Sequence, residues 1–547
     1  MLASLLLVAS AVDAGLLRGS GILSRRFGGE KQSVDFVLGG LEGRWEGSPA
    51  ANSTTHFYQD ALLDHFANEL GDAQHWSQRF YVDDSHWGGE GYPVFLYIGG
   101  EGPQGPVSPR LFMYELATEH RALILALEHR YYGESRPVPD MSTANLKYLT
   151  SHQALGDLAR FVQYIKSFHP GGPPDTASTP PLSLQASPKR SSFVVFGGSY
   201  PGNLAAWLKL KYPSLIEGSV SSSAPVFAEY NFEQYASVVG FALGYPLIGG
   251  TQECYDIVAK GTEQLRSLVE STSPMGTSEA IPDALKPCTT INDELDLSTY
   301  EATVFGAFQG VVQYNLEGRP PYVSDVCAEI TNASHATALD ALASAVSLVL
   351  FDGEPKCLPS SFAQDAISGL ANESFSAAGC DLDCASMRQW IYQSCNEFGY
   401  FQTTTGNVSN PFSSLKSVNL ANAGQAVCQR AYGITDYASP AKNDLGLAAN
   451  TAYGARELSS SNITVVNGNS DPWHSLGIVN STDPFFNSGD AGSSFPQAVT
   501  PSESIVEIDG TAHCRDMYAS GVFGEDPDPI SWAHAVIRQN VARYVSA

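Results

Sequence analysis

Basic residues are scarce in this chain: 30 lysines and arginines stand against 57 aspartates and glutamates in 547 residues, a formal net charge of -27 at pH 7. So negative a surface repels nucleic acid and anionic lipid, which argues against both as partners. It also suits work at low pH, where part of the charge is protonated. Long hydrophobic runs are missing too. Beyond the first residues no apolar stretch is long enough to span a bilayer, and no membrane partner is expected. Zinc-type spacing is lacking among the cysteines, and no histidines interleave with them, so neither a metal nor an organic cofactor is expected.

What is present is a globular composition, 43% hydrophobic and 16% charged, long enough for a main domain with a substantial insertion. Residues 1–14 hold Leu2, Leu5, Leu6, Leu7 and Val8 in a short apolar block that closes on Val12-Asp13-Ala14, the pattern of a signal peptide cut after Ala14. Only the initiator amine serves its n-region, and a buried first helix or strand is the competing reading. Residues 15–48, with Arg25-Arg26, read as a propeptide or an N-terminal arm. Cys254, Cys288, Cys327, Cys357, Cys380, Cys384, Cys395 and Cys428 cluster mid-chain and can pair as disulfides, with Cys514 left over. Their connectivity stays open. Sequons at Asn52, Asn332, Asn372, Asn407, Asn462 and Asn480 suit an exported glycoprotein, either secreted or sorted to a lysosome-like or vacuolar compartment.

Short apolar runs at Pro93–Ile98 and Ala122–Leu127 read as buried parallel strands, and Leu155–Phe168 has helical spacing. The run Phe193–Phe196 abuts Gly197-Gly198-Ser199-Tyr200-Pro201-Gly202, and Leu204–Tyr212 follows as a helix. Strand, turn and helix alternate, which predicts an α/β fold with a doubly wound, mostly parallel sheet. From 228 to 430 the pattern becomes mainly helical, as at Thr337–Leu350, and reads as a cap insertion. Strand patterns resume at Ile463–Gly468 and Ser504–Ile508 before a last helix over Trp532–Tyr544. The expected division is therefore a core of 49–227 and 431–547 around a cap of 228–430.

A serine hydroxyl becomes a useful nucleophile when a sharp turn lifts it clear of a sheet among small neighbours. Gly197-Gly198-Ser199 offers such a turn, although Pro201 stands where Gly-x-Ser-x-Gly would have its second glycine. Alone, this segment is a tight turn or an anion loop; Asp471 alone is a turn residue before Pro472, and His513 alone a loop histidine. Together, Ser199, Asp471 and His513 occupy strand ends in the order that α/β-hydrolases use for nucleophile, acid and base. The backbone N–H groups of Tyr200 and of Gly100, with Gly99 as the alternative, are the candidate oxyanion donors.

The chain resembles the prolyl carboxypeptidase and dipeptidyl peptidase II family of serine peptidases, in particular its thymus-specific serine protease-like branch. The resemblance rests on Leu63-Asp64-His65-Phe66, Gln78-Arg79-Phe80-Tyr81, Phe95 to Gly102, Glu128 to Ser135, Leu146 to Thr150, Gly197 to Tyr200, Cys395 to Gln402, Asn467-Gly468, Asp471-Pro472-Trp473 and Gly510 to Cys514. It implies an α/β-hydrolase with a helical cap, acting as an exopeptidase on peptides with proline or a small residue beside the cut bond. Either chain end is attacked within the family. Glu101 and Glu397 are candidates to hold a free amine, or are structural ion-pair residues; Trp473 and Tyr200 are candidates to wall a proline pocket, or simply pack. Peptides are the expected partners, and a homodimer is left open. The competing functions are a lipase or carboxylesterase of the same fold, or an inactive hydrolase used for binding.

Overall fold

The computed structural model describes residues 53–67, 74–167, 188–318, 320–351, 356–375, 382–406, 410–435, 446–458, 460–479 and 503–546. The expected signal peptide and arm, the sequons at Asn52, Asn407 and Asn480, and Cys380 with the side chain of Cys384 lie outside the described residues.

The strands are β1 (Thr54–Leu62), β2 (His75–Asp83), β3 (Val94–Ile98), β4 (Leu123–Leu127), β5 (Phe193–Gly198), β6 (Gly218–Ser222), β7 (Asn231–Phe232), β8 (Phe401–Gln402), β9 (Ile463–Gly468) and β10 (Glu503–Ile508). Eight of them form one sheet in the order β1-β2-β4-β3-β5-β6-β9-β10, while β7 and β8 pair separately. From β4 to β10 every neighbour is parallel; β1 and β2 add an antiparallel edge. This is the α/β-hydrolase arrangement. β3, β4 and β5 are buried throughout because helices cover both faces, so they read as continuous apolar runs in the sequence.

Helices α1 (Phe112–His120), α2 (Ser151–Ser167) and α3 (Tyr200–Lys211) connect the first strands, and α12 (Asp528–Val545) closes the chain. α12 packs on the sheet through Tyr544, whose hydroxyl lies 2.8 Å from Thr464 Oγ1, and through His534, stacked at 3.9 Å on Phe112 of α1. Between β6 and β9 the chain forms the helical cap: α4 (Gln234–Gly244), α5 (Gln252–Glu270), α6 (Glu294–Gln313), α7 (Val323–Ile330), α8 (Ala338–Leu350), α9 (Leu382–Gln393), α10 (Ala426–Tyr432) and α11 (Leu447–Tyr453). Side-chain oxygens start three of these helices, Thr251 for α5, Asp293 for α6 and Thr337 for α8, each accepting first-turn N–H groups that have no intrahelical partner. Disulfides Cys254–Cys327, Cys288–Cys357 and Cys395–Cys428 staple the cap, and Cys514 is free and buried.

Three strands carry no sequence signal of the kind that marks the others. β1 is the edge strand of the antiparallel end and β2 its neighbour, and both interleave exposed or half-buried polar residues with buried ones. β6, Gly-Ser-Val-Ser-Ser, is fully buried with scarcely any apolar side chain. Two of its three serines are bonded internally: Ser221 Oγ donates to Gly202 O at 2.8 Å and Ser222 Oγ to Asp516 Oδ1 at 2.6 Å, while Ser219 Oγ is buried without a hydrogen-bond partner among the described residues. Small residues are required here, since a Cβ on Gly218 would run into the Tyr544 ring.

Beneath the C-terminal end of β4 lies a buried ion network. Arg130, wholly buried, uses all five N–H groups: Nε and one Nη2 proton reach Asp157 at 2.6 and 2.7 Å, and the others reach the carbonyls of Leu62, Leu63 and Tyr148 at 3.0 to 3.1 Å. His65 Nε2 adds a contact to Asp157 Oδ1 at 2.7 Å. Burial acts to raise the Asp157 carboxyl, but the charge and hydrogen bonds of Arg130, with those of His65, prevail and hold it below its ordinary range. Asp157→Ala leaves Arg130 buried without a counter-charge and is expected to lower stability by about 3–5 kcal/mol; an unchanged urea midpoint at neutral pH would refute this. Because the folded carboxyl titrates low, its contribution is present at neutral pH and fades as acid protonates it.

Candidate active site

Ser199 sits at the junction of β5 and α3 with φ 60° and ψ -132°, a strained conformation for a residue with a Cβ. The turn survives because its neighbours are small. A Cβ on Gly197 would strike the backbone of Pro201 and Gly202; one on Gly202 would come within 2.7 Å of Ser222 O; one on Gly198 would come within 2.9 Å of Cys514 Sγ. Ser199 N–H donates to Ser222 O at 2.9 Å, which ties the turn to β6. Pro201 leaves the elbow intact. It lies in the first helical turn, where an N–H has no intrahelical acceptor, and its ring fits because residue 100 is glycine: a Cβ there would be 2.5 Å from Pro201 Cγ. The strand-β3 turn and the elbow are therefore in contact, with Gly100 beside the start of α3. Tyr200, as first residue of α3, has an N–H that the helix itself cannot use.

Asp471 follows β9 and His513 follows β10, as the sequence order required. Both are buried, and His513 Nδ1 lies 2.7 Å from Asp471 Oδ2. The other carboxylate oxygen accepts Trp473 N–H at 2.9 Å, so the acid is fixed from both sides. Cys514 N–H donates to Ser223 Oγ at 2.8 Å, and Ser222 Oγ holds Asp516, so the loop bearing His513 is pinned to the end of β6 next to the elbow. Burial raises the Asp516 carboxyl to about 6, and that of the Cys514 thiol well above the ordinary range. The structure thus places Ser199, Asp471 and His513 just after β5, β9 and β10, with β6 lying between the first two of these strands.

The candidate substrate residues fall into different surroundings. Glu101 is buried beside Gly100 and has no ion-pair partner among the described residues; desolvation pushes its carboxyl up to about 8. It interacts electrostatically with Tyr132, Tyr314 and Tyr400, and Tyr314 stands edge-on to His513 at 6.3 Å. Glu397 is engaged elsewhere. Its carboxylate accepts the Ser151 N–H, at 3.0 Å to Oε2, and the Ser151 hydroxyl, closing the N-terminus of α2. Desolvation raises it to about 7. Trp473 is buried among Phe232, Tyr235 and Tyr400 at 5.4 to 5.8 Å, and its ring is 6.5 Å from that of His513. The Tyr200 side chain is fully buried, its hydroxyl 3.0 Å from His129 Nε2 and its ring packed against Trp390 and Phe398. Of the described sequons, Asn332 and Asn372 are exposed, whereas Asn462 is half-buried and donates its amide to Glu217 O at 3.0 Å.

Sequence reasoning did not single out Gln313, Tyr314 or Tyr235, which reach this site from the cap. No motif marks them, because their position depends on where the end of α6 docks rather than on any local pattern.

Comparison with known proteins places this geometry in context. The chain is 32% identical over 468 residues to the human thymus-specific serine protease, covering 84% of this chain and 80% of the relative. It is 30% identical over 520 residues to a putative serine protease of Caenorhabditis elegans, covering 91% and 92%. To the bovine lysosomal Pro-X carboxypeptidase it is 24% identical over 490 residues, covering 87% and 84%. Residues 61–523 match the family described as serine carboxypeptidase S28, and the chain belongs to that family of serine peptidases.

Proposed function

We propose that the protein is an exopeptidase that hydrolyses peptide bonds beside proline or a small residue through an acyl-enzyme on Ser199. The observation that carries this is the buried 2.7 Å pair of His513 and Asp471 on the strand ends beside the strained Ser199 turn. In this reading His513 Nε2 removes the Ser199 proton as Oγ attacks the scissile carbonyl and then delivers it to the leaving amine. Asp471 holds the Nδ1–H tautomer and balances the charge that forms on the imidazole. The Tyr200 and Gly100 N–H groups receive the oxyanion, and water, activated by the same histidine, releases the acyl group. The chemistry needs no metal or organic cofactor.

The family description and the name of the bovine relative both specify a carboxypeptidase, which favours release of a C-terminal residue. Glu101 supports that direction. A carboxyl held neutral by burial is a hydrogen-bond donor rather than a counter-charge for an amine, and it can grip a peptide's terminal carboxylate; ionised, it repels one. The disulfides and the names of the relatives agree with a secreted or lysosome-like location.

Purified protein should cleave a fluorogenic proline peptide with a free C-terminus. Ser199→Ala should lower kcat about 10⁶-fold and Asp471→Asn about 10⁴-fold. Cleavage only of a peptide with a free N-terminus would make the enzyme a dipeptidyl peptidase instead; none of either, in folded protein, would sink the reading. With the C-terminal substrate, KM should rise as pH climbs through about 8 and Glu101 ionises. Glu101→Gln should keep KM flat over the same range. An identical pH dependence in both proteins would remove Glu101 from substrate recognition.

A further inference from the structure

We propose that Gln313, the last residue of cap helix α6, is a positioning residue that sets the acid and the base of the triad from the cap side. The inference rests on the triad reading and adds a residue to it that lies in neither strand-end loop.

Gln313 is buried, and each of its polar groups except its N–H meets a partner around the site. Its backbone carbonyl, one of those a helix end leaves unsatisfied, accepts the N–H of His513 at 2.9 Å. Its side-chain oxygen accepts two hydrogen bonds, from Tyr235 Oη at 2.7 Å and from Trp473 Nε1 at 3.1 Å. Its Nε2 donates to Tyr314 Oη at 3.0 Å, and the Tyr314 ring is the one that stands edge-on to His513. Trp473 in turn gives its backbone N–H to the Asp471 carboxylate. One residue thus contacts the loop of the base through its main chain and the loop of the acid through its side chain.

The arrangement matters because Asp471 and His513 lie on separate loops after separate strands. The sheet fixes where those loops start. Bonds from Asn469 N–H to Ile508 O and from Ser470 N–H to Thr511 O, at 3.1 and 3.0 Å, tie the loops together near their starts, and Gln313 adds a tie further out, at His513 and Trp473; a displacement of about 1 Å in a catalytic group can cost about 100-fold in rate. Gln313 is well suited to hold the tips. Its backbone is locked by the last turn of a 20-residue helix, and both acceptor sites of its amide oxygen are filled, which fixes the rotamer.

The test is a double-mutant cycle on the whole enzyme. Gln313→Met keeps the length of the side chain and removes its hydrogen bonds; Trp473→Phe removes the one donor that links Gln313 to the acid loop. Each variant is expected to lose about 10- to 100-fold in kcat with KM within about twofold of wild type. The double variant should be no worse than the weaker single, since both break the same link. Thermal melting shows which variants are folded. Unchanged kcat in folded Gln313→Met, a change confined to KM, or losses that multiply in the double variant would each overturn the proposal. Should Gln313→Met not fold, Trp473→Phe decides, and unchanged kcat there overturns it. Ser199→Ala assayed alongside separates the two ideas: full activity in that variant is a failure of the triad reading, whereas an inactive Ser199→Ala with unaffected Gln313 and Trp473 variants is a failure of this inference alone.

Discussion

The buried pairing of Arg130 with Asp157 is the constraint that joins β1, the turn after β4 and α2 beside the elbow. Removing two charges from water costs several kcal/mol per ion, so such a pair persists only where geometry and further hydrogen bonds compensate. Here a guanidinium with five donors meets five acceptors, and three of these are main-chain carbonyls from the end of β1 and the turn before α2. Lysine could not substitute, because a single ammonium cannot reach carbonyls on both sides and a carboxylate in plane. Next to Arg130, His129 bonds its own neighbour's carbonyl through Nδ1 and approaches Tyr200 Oη through Nε2. Burial lowers that imidazole to about 4, so it stays neutral and can serve both partners. A second pair, Glu128 with Arg79, holds the turn after β4 through Ser135 and the N–H groups of Gln104 and Glu134. The sequence segments around His65, Arg79 and Arg130 therefore form one scaffold under the elbow.

Above that scaffold, the elbow is a problem of volume. Ser199 can adopt its left-handed backbone only if β6 comes close and the loop of His513 passes beneath, and the glycines at 197, 198 and 202 leave room for the backbone of Pro201 and Ser222 and for the sulfurs of Met517 and Cys514. The proline at 201 is part of the same solution: it takes the helical φ that the turn needs and fills the space that glycine leaves at residue 100. Enlarging either partner would push the β3 turn away from α3 and so separate the two N–H groups, of Gly100 and Tyr200, proposed to receive the oxyanion.

Much of this was legible in the sequence, for identifiable reasons. Strands buried on both faces write themselves as apolar runs, so β3, β4, β5 and β9 were readable, as was β10 at the edge through Ile505, Val506 and Ile508, and with them the strand ends beside Ser199, Asp471 and His513. β6 was not, because its packing demands small side chains instead of apolar ones, and β1 and β2 were not, because they interleave polar with buried residues and form no apolar run. The contact of Glu397 with the start of α2 was not legible for a different reason: the carboxylate is separated from that helix N-terminus by 246 positions, and nothing local records the pairing. Gln313 shares that invisibility.

The disulfides sharpen the last point. Those among the described residues lie inside the cap, closing loops of 73, 69 and 33 residues, and in the chain-entropy picture each longer loop contributes about 4 kcal/mol to the cap itself. None of them ties the cap to the sheet. That junction is built from buried hydrogen bonds: Tyr132 Oη to Gln393 at 2.8 Å, Gln389 Nε2 to Tyr131 O at 3.0 Å, Arg388 Nε to Met141 O at 2.8 Å, and Gln313 O to His513 N–H. Apolar faces can slide by a fraction of an ångström at little cost, but buried polar groups lose their partners when they do, at about 1–3 kcal/mol for each group left unpaired. A cap docked by such bonds has one seating, and the end of α6 brings that seating to the base of the triad. On the proposed triad, the rigidity that disulfides give the cap reaches His513 through hydrogen bonds at its lower edge, so that docking the cap also seats the proposed base.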